Sequence, residues 1–184
     1  MKTSLLRSLW RLHLITPRGI VRLLNCFLHE GITMMATVRF AARYHTHDCA
    51  VVSDNQHVDY QDFYALAQRL SHLLYHKYHL KSGQHVALFC RNHLVSALLL
   101  PALSRLGVHV RLLNTDLSSE QLAKLMSRPF ALFIYDEELI QADGLDDMCP
   151  MVSCEALLES IKRQDAIEKV VLPYIKRGGN ISVM

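Results

Sequence analysis

The sequence predicts an α/β fold: an incomplete doubly wound, mainly parallel sheet with flanking helices, preceded by an N-terminal amphipathic helical extension. Three observations predict it. From Ala50 onward, short β-type runs alternate with helical stretches in the order strand, helix, strand, helix, strand, as in a sheet covered on both faces. The run Phe130 to Tyr135 is apolar throughout, as expected of a parallel strand with no solvent-facing side. The first 45 residues differ in texture, with leucines at helical spacing and a concentration of arginines.

Each element follows from its own pattern. Leu5, Leu9 and Leu12, with Leu6 and Trp10 alongside, make a short basic helix from Thr3 to Ile15, broken by Thr16 and Pro17. A second helix carries Ile20, Val21, Leu23, Leu24, Phe27 and Leu28 as its apolar stripe, with Arg18 and Arg22 outside it. Gly31 marks a joint before a third helix through Met34, Met35, Val38 and Ala42, whose methionines read as core filler. Ala50 to Ser53 reads as a strand, Asp54-Asn55 as a turn and Val58 as the start of a return strand. Tyr60 to Tyr78 has helical periodicity, Lys81-Ser82-Gly83 is a turn, and His85 to Cys90 is a strand. Asn92 is placed to cap an apolar helix running to Leu106, which Gly107 ends before a strand from Val108 to Leu113. Ser118 or Ser119 opens a helix through Leu122 and Leu125, and an acidic stretch from Asp136 to Asp147 reads as solvent-facing helix and loop. A strand near Met151, a helix from Glu155 to Lys162, a linker with Pro173 and Gly178-Gly179, and a strand from Asn180 to Met184 complete the chain.

Length and composition bound the function. At 184 residues and 51% hydrophobic content, the chain holds one principal cored domain. Five scattered cysteines suit a reducing cytoplasm. The net charge of +3 is unevenly placed: residues 1–45 carry seven basic groups against Glu30 alone, leaving 13 basic and 16 acidic groups in the remainder. The positive charge therefore belongs to the extension, and nucleic acid is not an expected partner. Arg7 and Arg11 interrupt the leading leucines, so neither a secretory h-region nor a membrane span is expected. Two readings of residues 1–30 stand side by side: contact with the inner face of a membrane, arginines toward anionic lipid, or packing against the body of the protein.

Several constellations invite a chemical reading. His72, His76 and His79 fall at i, i+4 and i+7, a spacing that can bring imidazoles to one Zn²⁺, though no Glu completes H-E-x-x-H. His45, His47 and Cys49 form a thinner set. Cys149 and Cys154 have no second cysteine pair and read as packing thiols. Ser96 and Ser104 lack the G-x-S-x-G context of a nucleophile elbow. Asp143, Asp146 and Asp147 lack the alternating oxygens of a calcium loop and read as solvated.

The order of segments carries a resemblance. Ala50-Val51-Val52-Ser53-Asp54, then Val58-Asp59-Tyr60-Gln61-Asp62-Phe63, then Leu70-Ser71-His72-Leu73-Leu74, is similar to the opening of the AMP-binding, adenylate-forming superfamily. Leu80 to Leu88 and Arg91-Asn92 resemble its next strand and strand-to-helix turn. Ala102-Leu103-Ser104-Arg105-Leu106-Gly107-Val108-His109-Val110-Arg111-Leu112-Leu113-Asn114-Thr115 resembles its second core motif, and Ser118 to Met126 its following helix. Leu112 departs from the family's usual Pro and Arg111 from its usual apolar residue. Glu30-Gly31 and the Leu-Trp-Arg-rich leader resemble a subgroup of fatty-acyl-CoA synthetases.

The resemblance implies residues 1–45 as a helical extension and 46–184 as the N-terminal part of an adenylate-forming domain. It also implies a parent acid–CoA ligase that joins a carboxylate, here a fatty acid, to AMP from ATP with Mg²⁺ and then to coenzyme A. In relatives a Thr/Ser- and Gly-rich loop ending in Lys holds the triphosphate and a C-terminal domain supplies a catalytic Lys. With seven glycines, neither G-x-x-x-x-G-K-[ST] nor G-x-G-x-x-G occurs in these 184 residues. Asn180 to Met184 resembles the strand before the phosphate loop, so a truncation just ahead of that loop is expected, with no cofactor bound by this chain and no activity of its own. No catalytic, cofactor-binding or metal-ligating residue is assigned. The rival function class is a non-catalytic α/β interaction module peripheral to membrane.

Overall fold

The computed structural model describes residues 16–53, 56–126, 129–139, 149–163 and 172–183. The expected helix at Thr3 to Ile15, the Asp54-Asn55 turn and the acidic residues Asp143, Asp146 and Asp147 lie outside these.

The chain opens with α1 (Pro17–Glu30), whose N-cap Thr16 accepts a bond from the Gly19 N–H at 3.0 Å with Pro17 in the first turn. Gly31, at φ 73°, ends α1, and a Cβ there would stand 1.8 Å from the Ile175 carbonyl oxygen, so only glycine lets the two backbones meet. Then come α2 (Met34–Tyr44) and an antiparallel pair, β1 (Cys49–Ser53) with β2 (Gln56–Asp59). Asp59 caps α3 (Tyr60–His76) through a 2.8 Å bond from the Asp62 N–H.

The main sheet follows: β3 (His85–Phe89), α4 (Leu94–Arg105), β4 (His109–Leu112), α5 (Ser119–Met126), β5 (Leu132–Tyr135), β6 (Met151–Ser153), α6 (Cys154–Arg163) and β7 (Ile181–Val183). All five strands are parallel, in the order β6-β5-β3-β4-β7. Alternate residues of each strand face opposite ways. Val86, Leu88, Leu132, Ile134 and Val152 face the larger core with α3, α4 and α6, and Met35 of α2 joins them. Ala87, Phe89 and Phe133 face a smaller core with Leu122 of α5. The fold is the expected α/β arrangement, and Gly107 at φ 69° makes the expected reversal from α4 into β4.

Three local expectations are corrected. The cap of α4 is His93, not Asn92: the His93 ring accepts from the Ser96 N–H while Ser96 Oγ accepts from the His93 N–H, a reciprocal pair that shifts the boundary by one residue. The six-residue stripe of α1 is divided. Leu23 and Phe27 pack beside Cys26, Ala36 and Phe40, whereas Ile20, Val21, Leu24 and Leu28 are exposed, Leu28 by 74%. Among the paired methionines, Met35 is fully buried and Met34 is 39% exposed.

A buried ionic cluster fastens α1 and α2 to the body. Glu30, 5% exposed, receives Arg39 and the Tyr64 hydroxyl on Oε1 and Arg105 Nε on Oε2, each at 2.8 Å. Arg105 also donates to the Pro173 carbonyl at 3.0 Å. The Glu30-Gly31 pair of the sequence is thus a clamp, joining the start of the chain to α3, α4 and the segment before β7.

Candidate functional site

Helix α4, after β3, packs on one face of the sheet, and α5, after β4, packs on the other. Open α/β sheets accept ligands beyond the carboxyl ends of their strands. A cavity of about 490 Å³ lies there, walled by Leu88 and Cys90 of the β3 end, Leu112 and Leu113 of the β4 end, Val51 to Ser53 of the hairpin, and the first turns of α4. Its walls are mainly apolar. The polar groups among them are Ser53, Cys90, Asn92, His93 and Ser96.

Behind the polar side of this cavity stands a compact cluster. His93 Nε2 lies 2.7 Å from Asp136 Oδ1, and the Arg91 N–H donates to Asp136 Oδ2 at 2.6 Å. Asp136 is 5% exposed, so both carboxylate oxygens are engaged out of water. The sulfurs of Cys90 and Cys154 approach to 3.3 Å, both as free thiols. The adjoining Cys90 thiol and burial push the Cys154 thiol far above its ordinary range, which holds it neutral. The Cys154 sulfur, against the cost of burial and with the help of the Asp136 carboxylate, pushes His93 up to about 9. Protonating its Nδ1 would forfeit the 3.3 Å contact from the Ser96 N–H.

The constellations named from sequence are dispersed. Helix α3 ends at His76, and His79 beyond it has φ 53°, so the three-histidine face does not exist; His72 and His76 alone stack, with centroids 6.2 Å apart. His45 pairs with Asp48 at 3.0 Å, and Cys49 faces His57, so His45, His47 and Cys49 do not converge. Cys149 packs with the smaller core and Cys154 with the larger, on opposite faces of the sheet. Ser96 serves the cap of α4, and Ser104 Oγ accepts from the Met34 N–H at 3.0 Å.

Nor does the Gly178-Gly179 pair form a phosphate cradle. A Cβ on Gly178 would meet Ser104 Oγ at 2.5 Å and one on Gly179 the Val108 carbonyl oxygen at 1.9 Å, so this pair exists for close backbone packing. Among the described residues there is no fit for a triphosphate with its Mg²⁺, and no step through them is assigned to this chain.

Fold and crevice together define an open α/β domain of the kind that accepts small ligands beyond its strand ends. Comparison with known families places it: the AMP-binding enzyme pattern matches residues 38–172, well over half of the chain, and the protein belongs to that adenylate-forming family. Among solved structures, it is similar to O-succinylbenzoate coenzyme A synthetase (MenE) from Bacillus subtilis in complex with ATP and magnesium ion, at 20% identity and TM-score 0.60, over 71% of this chain and 34% of that one. VinN in complex with 3-methylaspartate matches at 19% identity and TM-score 0.65, over 76% of this chain and 41% of that one. The artificially fused adenylation–PCP di-domain NpsA-ThdA from Klebsiella oxytoca matches at 14% identity and TM-score 0.63, over 79% and 27%. At these identities the likeness concerns the fold. The chain spans about a third of the length of the MenE structure and 41% of VinN. Comparison with curated protein sequences returns no match.

Proposed function

We propose that these residues form the N-terminal part of an ATP-dependent acid–CoA ligase acting on a fatty acid, with residues 1–45 as a helical extension and 46–184 as the opening of the adenylate-forming domain. The family match over residues 38–172 carries the reading. The fatty-acid assignment draws on the leader resemblance and on the apolar walls Val51, Val52, Leu88, Leu100 and Leu112, which offer a hydrocarbon chain an apolar lining. ATP, Mg²⁺ and coenzyme A belong to the complete enzyme. Catalysis of adenylation needs fixed donors aimed at the phosphates, and these 184 residues contain no glycine-rich phosphate motif to supply them.

The test is ATP–pyrophosphate exchange with medium- and long-chain fatty acids. The 184-residue protein alone is expected to stay at background, and the product of the whole reading frame is expected to exchange. Exchange by the 184-residue protein overturns this division of roles; exchange by the whole product with other carboxylates only overturns the fatty-acid assignment.

A second reading has its own observation, the outward apolar face of α1. Ile20, Val21, Leu24 and Leu28 are exposed in a segment whose neighbours Arg18 and Arg22 are also exposed, and no helix of the described residues is long and apolar enough to cross a membrane. Contact with an anionic lipid surface would use both features. Co-sedimentation with anionic vesicles is expected, weakening with salt because each basic group near the surface contributes about 1 kcal/mol. Retention of binding by the Leu24→Glu, Leu28→Glu double variant would reject it.

A further inference from the structure

Parallel register aligns Phe89 of β3 with Tyr135 of β5, and Tyr135 with Ser153 of β6. The next residue along each strand is Cys90, Asp136 and Cys154, a row of three just past the carboxyl ends. Cys90 and Cys154 belong with the core under α4 and α6, and in-register residues of a parallel sheet share a face. Strands stand about 4.8 Å apart, yet the two sulfurs converge across the intervening strand to 3.3 Å, and one ligand atom from each of the three residues lies within 4.8 Å of the others. Thiols are weak donors and weak acceptors, so hydrogen bonding gains little from gathering two of them at a buried carboxylate.

We propose that Cys90, Asp136 and Cys154 form a binding site for Zn²⁺, through two thiolates and one carboxylate oxygen. Zn²⁺ takes sulfur at about 2.3 Å in tetrahedral geometry, which sets two sulfurs about 3.8 Å apart, roughly half an ångström wider than here and within reach of small side-chain rotations. The donor set selects the ion: thiolates suit zinc and other soft or borderline cations, whereas Mg²⁺ and Ca²⁺ require oxygen. Binding replaces two S–H protons, which leave to solvent, and gives up two weak contacts, that of Cys154 with the Cys90 sulfur at 3.3 Å and that of Cys90 with the Ile134 carbonyl at 3.5 Å. Asp136 is already oriented by the Arg91 N–H and by His93, the outer ring of hydrogen bonds that a ligating carboxylate needs. Cys90 and His93 line the cavity, so the fourth coordination position opens toward it and is available to water or to an anionic group of a bound ligand. The site stands independently of the acyl-activating reading.

Reduced, metal-free protein titrated with Co²⁺ and then Zn²⁺ tests it. One Co²⁺ per chain is expected, with tetrahedral visible bands and a thiolate-to-cobalt charge-transfer band, both erased as Zn²⁺ displaces it. Cys90→Ser and Cys154→Ser are each expected to abolish saturable binding, and His93→Gln to weaken it about 10- to 100-fold, as loss of an orienting partner does. Cys49→Ser, which changes an exposed thiol outside the cluster, is expected to leave binding intact. Absence of sulfur charge transfer, or unaltered binding in the Cys90→Ser, Cys154→Ser double variant, overturns the proposal. If a cysteine variant does not fold, the wild type decides: Zn²⁺ must protect two thiols from alkylation, and failure to protect them also overturns it.

Discussion

At the carboxyl end of α4, Arg105 meets Glu30; at its amino end, His93 meets Asp136, with Cys90 and Cys154 alongside. Each cluster buries a carboxylate at 5% exposure. They differ in what surrounds it. Glu30 takes three charged or phenolic donors at 2.8 Å, and Arg105 spends a further N–H on the Pro173 carbonyl. These donors fill three of the roughly four lone-pair sites of the carboxylate. Asp136 takes one backbone N–H and one imidazole, and two sulfurs lie within 4.8 Å of it, which make weak hydrogen bonds but strong bonds to metal. The first cluster holds the fold together. The second has unused coordinating power beside a cavity.

The comparison breaks most visibly at Glu30. Glu30→Ala leaves Arg105 buried without its partner and Tyr64 without an acceptor, and is expected to cost about 3–5 kcal/mol in urea unfolding, the usual loss when one member of a buried pair is removed. A loss under about 1 kcal/mol would make the clamp peripheral. Asp136→Asn should cost less, about 1.5–3 kcal/mol, since it weakens charge-assisted hydrogen bonds without stranding a guanidinium. Its sharper signature is linkage: Zn²⁺ should raise the Tm of the wild type and leave that of Asp136→Asn unmoved.

The smallest effect concerns His72, beside the Glu30 cluster. His72 Nδ1 is buried without a hydrogen-bond partner, in a cavity of about 170 Å³ shared with His29, Glu30 and Arg105. Burial first, then His76 and Arg105, lowers its pKa from the usual 6.5. The unfolded chain therefore takes up this proton before the native state does. Stability from neutral His72 is full above about pH 6.5 and is lost as the pH falls toward the lowered value. In urea midpoints compared at about pH 7 and about pH 5, His72→Gln should shrink the acid-side loss. An undiminished loss would assign it to other groups.

Much of the fold was legible because it rests on local pattern. The apolar run at Leu132 to Tyr135, the leucine-rich α4 and the reversal at Gly107 each announce themselves within a few residues, and their order names the family. Local pattern also set the limits. It gave Ile20, Val21, Leu23, Leu24, Phe27 and Leu28 of α1 as one apolar stripe without saying what covers it; packing on α2 uses Leu23 and Phe27 and leaves Leu24 and Leu28 in solvent, because helical period says nothing about how wide the facing surface is. It put His72, His76 and His79 on one helix because spacing cannot show that the helix stops at His76.

What the sequence determined by itself was the alternation of strands and helices, the uneven charge and the lack of a glycine-rich phosphate motif, all properties of neighbours along the chain. Only the tertiary structure decided which distant residues share a place. Glu30 and Arg105 are 75 positions apart, and Cys90 and Cys154 are 64 apart. Sheet order and register bring the cysteines together, and a slip of one residue in β3 or β6 would turn one thiol to the other face. That dependence on pairing is why the cluster has no signature in the order of residues.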